Sequence, residues 1–396
     1  MSDLFQLPIG PTIGKGDSPF AQFELQENPF PPTGVDSGVL YVEHMRTELS
    51  LIQAWINDVG QATKADLEKP TAVRPLAIFG SLGVGKTHIL NFLEQGFRGN
   101  PLTPTLRKGL ADEGMSRLVL SNLFLRYLPF SDSDTEPGTG LLRRLVQTAR
   151  SDVGTRARME EVLRSGSPVK VPFFAAVESE DAEAIVWLSR WLRREYTTPS
   201  QRSKLGLSGV LQSEGEAVRA VADLMRLSHA GRLVRAWFIL LDQLEELWRP
   251  NVITPTRRAR FLTDLRHLVD QSLEGAPIAV LLAWNTTVEE TLFSSPPAVR
   301  ERMENDYRAL WQRLGDPIDL PALRQEDVWP FAAKYLNEAG VRSDAPDPQR
   351  NLYDWLSAAS EEVERDRKAA GPGGLAPRKV LGAWRKKAAE IASGDR

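Results

Sequence analysis

The sequence predicts an α/β fold in which a parallel sheet is flanked by helices, and three observations lead to that prediction. Residues 75–79 form a short apolar run, which a glycine-rich segment and then apolar residues at helical spacing follow. Two more apolar runs, at 237–241 and 277–284, have the length and composition of buried strands. Helical patterns lie between these runs, and strands that alternate with helices are typical of parallel sheets.

Composition limits the classes of protein that this chain can represent. The chain has 396 residues, which is enough for two or three domain-sized units. Its 42% hydrophobic and 26% charged residues are typical of a soluble globular protein. A formal net charge of −3 excludes a global basic field for nucleic acid. Because the chain has no cysteine, disulfides, thiolate metal sites and cysteine nucleophiles are excluded.

Targeting and membrane signals are not found in the sequence. The first residues lack a basic stretch followed by an apolar core, so we expect no signal peptide. No apolar run approaches the ~20 residues that a membrane-spanning helix needs. We therefore expect a cytoplasmic protein that makes no membrane contact.

The glycine-rich segment fits a phosphate-binding motif. Residues 80–87 read Gly-Ser-Leu-Gly-Val-Gly-Lys-Thr, which matches G-x-x-x-x-G-K-[ST], the P-loop. Its glycines let the backbone curl around an anion, and the following helix points its positive end at the same place. The alternative is a glycine-rich turn that binds nothing. The predicted nucleotide-binding residues are Gly80, Ser81, Leu82, Gly83, Val84, Gly85, Lys86, Thr87 and His88.

A carboxylate follows the second apolar run. Residues 237–241 end at Asp242, and a buried parallel strand of this kind brings its last residue to the edge of the sheet where phosphates and Mg²⁺ bind. We predict that Lys86 contacts the phosphates and that Thr87 and Asp242 are the Mg²⁺ ligands. Since no guanine-reading N-K-x-D motif is evident, ATP is the expected nucleotide.

Five segments together resemble an AAA+ ATPase of the branch that holds ORC-like initiators, transposon target-selection ATPases and STAND NTPases. Residues 46–49 resemble the R-x-E-L segment of that branch, and residues 80–87 resemble its Walker A motif. Residues 242–247 resemble the D-Q-x-E-E-L form of Walker B. Asn285 stands where sensor 1 is expected, and Arg378 stands where the sensor 2 arginine of a helical lid is expected.

The resemblance implies catalytic roles for several residues. Most AAA+ proteins have a glutamate directly after the Walker B aspartate, but this chain has Gln243. Glu245 or Glu246 would then be the base, and we favour Glu245. The alternative is that both are solvated acids at a helix start. A neighbouring subunit would supply an arginine finger, for which Arg313 matches the expected position best. The other candidates for the finger are Arg300, Arg302 and Arg308.

The order of the motifs predicts the domain organisation. We expect an extended N-terminal arm at 1–40 and a nucleotide-binding core at 41–130 and 216–321. This core would contain strands at 117–121 and 316–321 besides the three apolar runs. Asp242 follows Lys86 at a greater distance than a plain AAA+ core uses, so 131–215 is expected to be an inserted helical subdomain. Residues 322–396 are expected to form a helical lid.

The resemblance implies an ATPase that couples its nucleotide state to assembly as a homo-oligomer or hetero-oligomer. Such a protein would act on DNA or on a DNA-bound partner protein. The alternatives are a STAND-like nucleotide switch, for example in an antiviral defence system, and a nucleotide-binding scaffold with negligible hydrolysis. The glutamine at position 243 favours these slower alternatives.

Overall fold

The chain has an α/β fold with a five-stranded, all-parallel sheet that is flanked by helices. The structure is a computed structural model. It describes residues 19–31, 43–64, 70–98, 100, 102–109, 139–248, 253–285, 301, 305, 307–369 and 375–394.

The strands of the sheet are β1 (Leu76–Gly80), β2 (Thr105–Gly109), β3 (Trp237–Asp242), β4 (Ile278–Asn285) and β5 (Ile318–Asp319). Their order in the sheet is β2-β3-β4-β1-β5. The register aligns Gly109 with Asp242 in the pair β2–β3, Leu240 with Leu281 in the pair β3–β4, and Ile78 with Ile318 in the pair β1–β5.

The three apolar runs of the sequence form strands β1, β3 and β4, as predicted. The run at 316–321 contains a strand of only two residues, β5. The strand predicted at 117–121 lies outside the described residues, and β2 was not predicted.

The α-helices cover most of the remaining described residues. They are α1 (Arg46–Ala62), α2 (Lys86–Phe97), α3 (Thr139–Ser151), α4 (Val153–Val162), α5 (Lys170–Glu178), α6 (Ala184–Leu192), α7 (Pro199–Lys204), α8 (Glu214–Ala230), α9 (Pro255–Leu273), α10 (Val328–Glu338), α11 (Gln349–Ala358), α12 (Ser360–Ala369) and α13 (Pro377–Ser393). None of the helices in the described ranges is both long enough and apolar enough to cross a membrane.

The chain divides into two compact units. Unit 1 consists of Met1–Ile52, Ile78–Gly96 and Ile318–Arg396, and unit 2 consists of Gln53–Ala77 and Phe97–Pro317. This division follows compactness, so the predicted boundaries of the arm, core, insertion and lid stay predictions.

Unit 1 has a hydrophobic core that combines its C-terminal helices with an N-terminal segment. Phe20, Phe23 and Phe30 are buried in this core together with Trp384 of α13. The Asn28 side chain donates a 2.9 Å hydrogen bond to the Arg385 carbonyl. Residues 19–31, which lie within the predicted arm, contain a short 3₁₀-helix (Pro19–Phe23) and bury three aromatic rings.

Unit 2 is built around two strands whose residues are buried throughout, β3 and β4. Helices α8 and α9 pack against each other in the same unit. In the region expected to be an insertion, Trp187 and Trp191 of α6 are buried. The ends of β3 and β4, where Asp242 and Asn285 lie, belong to this unit.

Candidate functional site

The loop after β1, in unit 1, has a backbone conformation that glycine adopts readily and other residues do not. Strand β1 ends at Gly80, and α2 begins at Lys86. Gly80, Gly83 and Gly85 have φ angles of 154°, 84° and 112°, which side chains rarely allow. A Cβ atom at Gly80 would also lie 2.6 Å from Cγ1 of Val84. The tight curl between strand and helix therefore depends on these glycines.

Lys86 is held inside this loop. Its side chain is buried, and its Nζ atom donates hydrogen bonds to the carbonyls of Gly80 at 2.8 Å and Ser81 at 3.0 Å. The ammonium group thus lies beside the loop backbone at the N-terminal, positive end of α2. Thr87 and His88 are partly exposed, whereas Leu82 is exposed. A curled backbone, a helix N-terminus and a lysine ammonium together suit an anionic phosphate.

The same loop contacts the start of α13, which is also in unit 1. The backbone N–H of Arg378 donates a 3.1 Å hydrogen bond to the Gly83 carbonyl. A Cβ atom at Gly83 would lie 3.0 Å from Cβ of Arg378, so the two backbones approach closely. The structure therefore brings the predicted sensor 2 arginine to the predicted phosphate-binding loop.

Asp242 ends β3 in unit 2 and is 1% exposed. Its Oδ1 atom accepts a 2.8 Å hydrogen bond from the backbone N–H of Gln243. Its Oδ2 atom lies 3.8 Å from Nη2 of Arg107 on β2, which is within ion-pair distance. The predicted Walker B aspartate is therefore a buried carboxylate in a fixed orientation.

Glu245 and Asn285 meet in unit 2, although they are 40 positions apart in the sequence. Glu245 lies in a 3₁₀-helix (Leu244–Trp248) that directly follows Gln243. Its Oε2 atom accepts a 3.2 Å hydrogen bond from the backbone N–H of Asn285, the last residue of β4. The predicted base and the predicted sensor 1 residue are thus brought together by the ends of neighbouring strands β3 and β4.

Arg258 anchors the short helix that carries Glu245. It lies on α9, and its Nε atom donates a hydrogen bond to the carbonyl of Leu247. Burial lowers the pKa of the Arg258 guanidinium from its ordinary value. The anchor was not predicted from the sequence, because Arg258 follows a loop and belongs to a helix with many other arginines.

Arg313, the predicted finger, makes contacts within its own chain. Its guanidinium forms an ion pair with Asp270 of α9 and donates a 2.6 Å hydrogen bond to the Ala309 carbonyl. Arg308 is exposed. Arg300 and Arg302 lie outside the described residues. The choice of a finger among these four arginines stays a prediction.

The metal prediction rests on oxygen ligands. Among the residues that the structure describes, no group of three or more His, Cys, Asp or Glu side chains is placed to hold a metal ion. Mg²⁺ at a nucleotide site typically takes one or two protein oxygens together with phosphate oxygens and water. The hydroxyl of Thr87 and the carboxylate of Asp242 have the chemistry for this role.

No protein-family model matches this chain, and no curated protein shows significant similarity to it.

Proposed function

We propose that this chain is an ATP-binding, Mg²⁺-dependent AAA+ ATPase. The observation that carries the proposal is the conformation of residues 80–87. Three glycines with positive φ curl the loop, α2 begins at Lys86, and the Lys86 ammonium is held against the loop carbonyls. The sheet and helices would then be a P-loop NTPase core, with 131–215 as an inserted helical subdomain and 322–396 as a helical lid.

ATP binding would depend on residues of this loop. The backbone amides of the loop and the positive end of α2 would bind the phosphate groups. Lys86 would turn its ammonium from the carbonyls of Gly80 and Ser81 toward the β- and γ-phosphates. Thr87 and Asp242 would hold Mg²⁺, which supplies charge neutralisation at the phosphates when it is bound. Arg378 would add a second positive charge, and its backbone contact with Gly83 supports this role.

Hydrolysis would depend on the carboxylate of Glu245. A general base needs a fixed position within hydrogen-bond reach of the attacking water. The hydrogen bond from the Asn285 N–H orients the Glu245 carboxylate, which supports the choice of Glu245 over Glu246. Arg313 would act as the finger only after its ion pair with Asp270 opens toward a neighbouring subunit.

We propose that the nucleotide state controls oligomerisation and action on DNA or a DNA-bound partner protein. A site completed by a neighbour's arginine makes assembly depend on ATP. A second candidate is a STAND-like switch or scaffold in a multi-protein system, for example an antiviral defence system. Gln243, which stands where a catalytic glutamate is usual, favours that candidate.

Steady-state ATP turnover by the purified chain, with and without duplex DNA, separates these candidates. Lys86→Ala serves as the blank. Turnover above the blank that rises with DNA supports the DNA-linked ATPase. Turnover that exceeds the blank and is the same with and without DNA supports an ATPase that acts on a protein partner. Turnover at the level of the blank in both conditions contradicts hydrolysis by the chain alone and leaves the switch or scaffold.

A further inference from the structure

We propose that Gln243 is a positioning residue, because its left-handed backbone conformation fixes the carboxylates of both Asp242 and Glu245. This inference rests on the proposed ATPase function and adds a residue that the function does not assign. All the contacts that carry it lie within unit 2. They are the contacts of Gln243, Glu245 and the last residues of β3 and β4.

The backbone at Gln243 is unusual for its residue type. Its φ angle is 59°, in a region that few residues other than glycine adopt, and asparagine, aspartate and histidine are the commoner exceptions. In this conformation the Gln243 N–H turns back to Oδ1 of Asp242, at 2.8 Å. Such conformations persist where the surrounding structure fixes them, and they concentrate at functional sites.

The same turn starts the helix that carries Glu245. The Gln243 carbonyl accepts a 3.0 Å hydrogen bond from the Glu246 N–H, which closes the first turn of the 3₁₀-helix. Residues three apart lie on the same side of such a helix. Leu244 and Leu247 share its buried side, at 1% and 0% exposure. Burial of these two leucines fixes the rotation of the helix.

With that rotation fixed, the Glu245 carboxylate reaches the end of β4. Its Oε2 atom accepts the hydrogen bond from the Asn285 N–H, at 3.2 Å. An extended residue at position 243 would continue β3 in place of starting the helix, and the carboxylate of Glu245 would leave Asn285. The turn at Gln243 therefore brings the carboxylate of Glu245, which lies three positions after Asp242, back to the ends of β3 and β4.

The proposal assigns the role to the backbone of Gln243, and substitutions at this position test that assignment. Glycine adopts positive φ without strain, and asparagine tolerates it, whereas a β-branched residue strongly resists it. We therefore expect Gln243→Gly and Gln243→Asn to preserve the contact between Glu245 and Asn285. We expect Gln243→Val to break it.

The first readout needs no nucleotide. In protein labelled with ¹⁵N-asparagine, the Asn285 amide signal is assigned by its loss in Asn285→Ser. We expect this signal to stay in place in Gln243→Gly and to move in Gln243→Val toward its position in Glu245→Ala. An unmoved signal in Gln243→Val, or an equal movement in Gln243→Gly, would overturn the proposal. If Gln243→Val does not fold, Gln243→Ala replaces it with a smaller expected movement.

The second readout is the balance between ATP binding and turnover. We expect Gln243→Val to lower kcat on the order of 100-fold, as misplaced catalytic groups do. The Kd for ATP measured without Mg²⁺ should be unchanged, because residues 80–87 are not altered. We expect the kcat of Gln243→Gly to stay within about twofold of the wild-type value. Loss of kcat in both variants would assign the role to the glutamine side chain and overturn the proposal. A wild-type chain that binds no ATP would refute the proposed function, while the Asn285 signal would still decide the role of Gln243.

Discussion

The backbone N–H of Arg378 donates a 3.1 Å hydrogen bond to the carbonyl of Gly83, and this bond joins the start of the last helix to the glycine-rich loop. Gly83 has a φ angle of 84°, and its Cα faces the Arg378 side chain at close range. Any movement of α13 relative to its surroundings in unit 1 therefore acts directly on the loop that would hold phosphate. This contact gives a physical route by which nucleotide and C-terminal helices would influence each other.

Gly83→Ala is expected to destabilise the nucleotide-free protein more than Gly340→Ala. Both glycines have positive φ, 84° and 80°, so both substitutions add backbone strain of about 1 kcal/mol. At Gly83 the new Cβ also meets Cβ of Arg378 at 3.0 Å, whereas at Gly340 it meets nothing within 4 Å. Thermal unfolding of the two variants measures the difference. Equal losses of thermal stability in the two variants would show that the new contact with Arg378 adds no destabilisation.

Glu245→Gln is expected to lower ATP turnover by about 10²- to 10⁴-fold while ATP still binds. The amide retains an oxygen that can accept from the Asn285 N–H, so the fold of the site is preserved, but it cannot take a proton from water. Glu246→Gln is the matched control and should turn over ATP at close to the wild-type rate. Normal turnover by Glu245→Gln would show that Glu245 is not the base.

Phe30→Ala is expected to destabilise unit 1 by about 3–5 kcal/mol, because it removes a fully buried ring. This ring stacks on Trp384 with a centroid distance of 6.0 Å and approaches Tyr335 at 6.3 Å. The exposed neighbour Gln26→Ala should change stability by less than about 0.5 kcal/mol. Denaturant unfolding followed by tryptophan fluorescence measures both. A small effect of Phe30→Ala would show that residues 19–31 detach readily.

The stability of unit 2 is expected to fall as the pH drops through the ordinary pKa of histidine, 6.5. Burial, with a further contribution from Arg266, lowers the pKa of His267 below that value in the folded state. The unfolded chain then binds the proton more tightly, so acidification favours unfolding until the pH is below the folded-state pKa. His267→Gln should weaken this dependence in unfolding curves recorded between about pH 7.5 and 5. Identical pH profiles for the two proteins would refute this coupling.

The parts of the fold that the sequence predicts best are those with a strong local pattern. Strands β3 and β4 are continuous apolar runs because all their residues are buried. Helix α13 shows its buried face, which includes Val380, Leu381 and Trp384, at helical spacing. The glycine-rich loop is recognisable because its positive φ angles require glycine.

Features that depend on long-range packing were not predictable. Strand β2 reads Thr-Leu-Arg-Lys-Gly, and it lies at one edge of the sheet, so it carries no apolar run. Phe20 and Phe23 are three positions apart, but this short segment has no longer apolar period, and the burial of its phenylalanines depends on helices near the C-terminal end of the sequence. Sequence also left Glu245 and Glu246 as alternative bases. The sequence favoured Glu245, but it could not predict the contact of Glu245 with Asn285, which depends on the turn at Gln243.

Direct titration of ATP and Mg²⁺ into the purified chain by calorimetry tests the central claim, which is that residues 80–87 bind a nucleotide. The comparison uses the wild type, Lys86→Ala, and Lys334→Ala, which removes an exposed lysine paired with Glu338 on α10. We predict saturable binding by the wild type and by Lys334→Ala, and loss of binding by Lys86→Ala. Absence of binding to the wild type, or equal binding by all three proteins, would contradict the account.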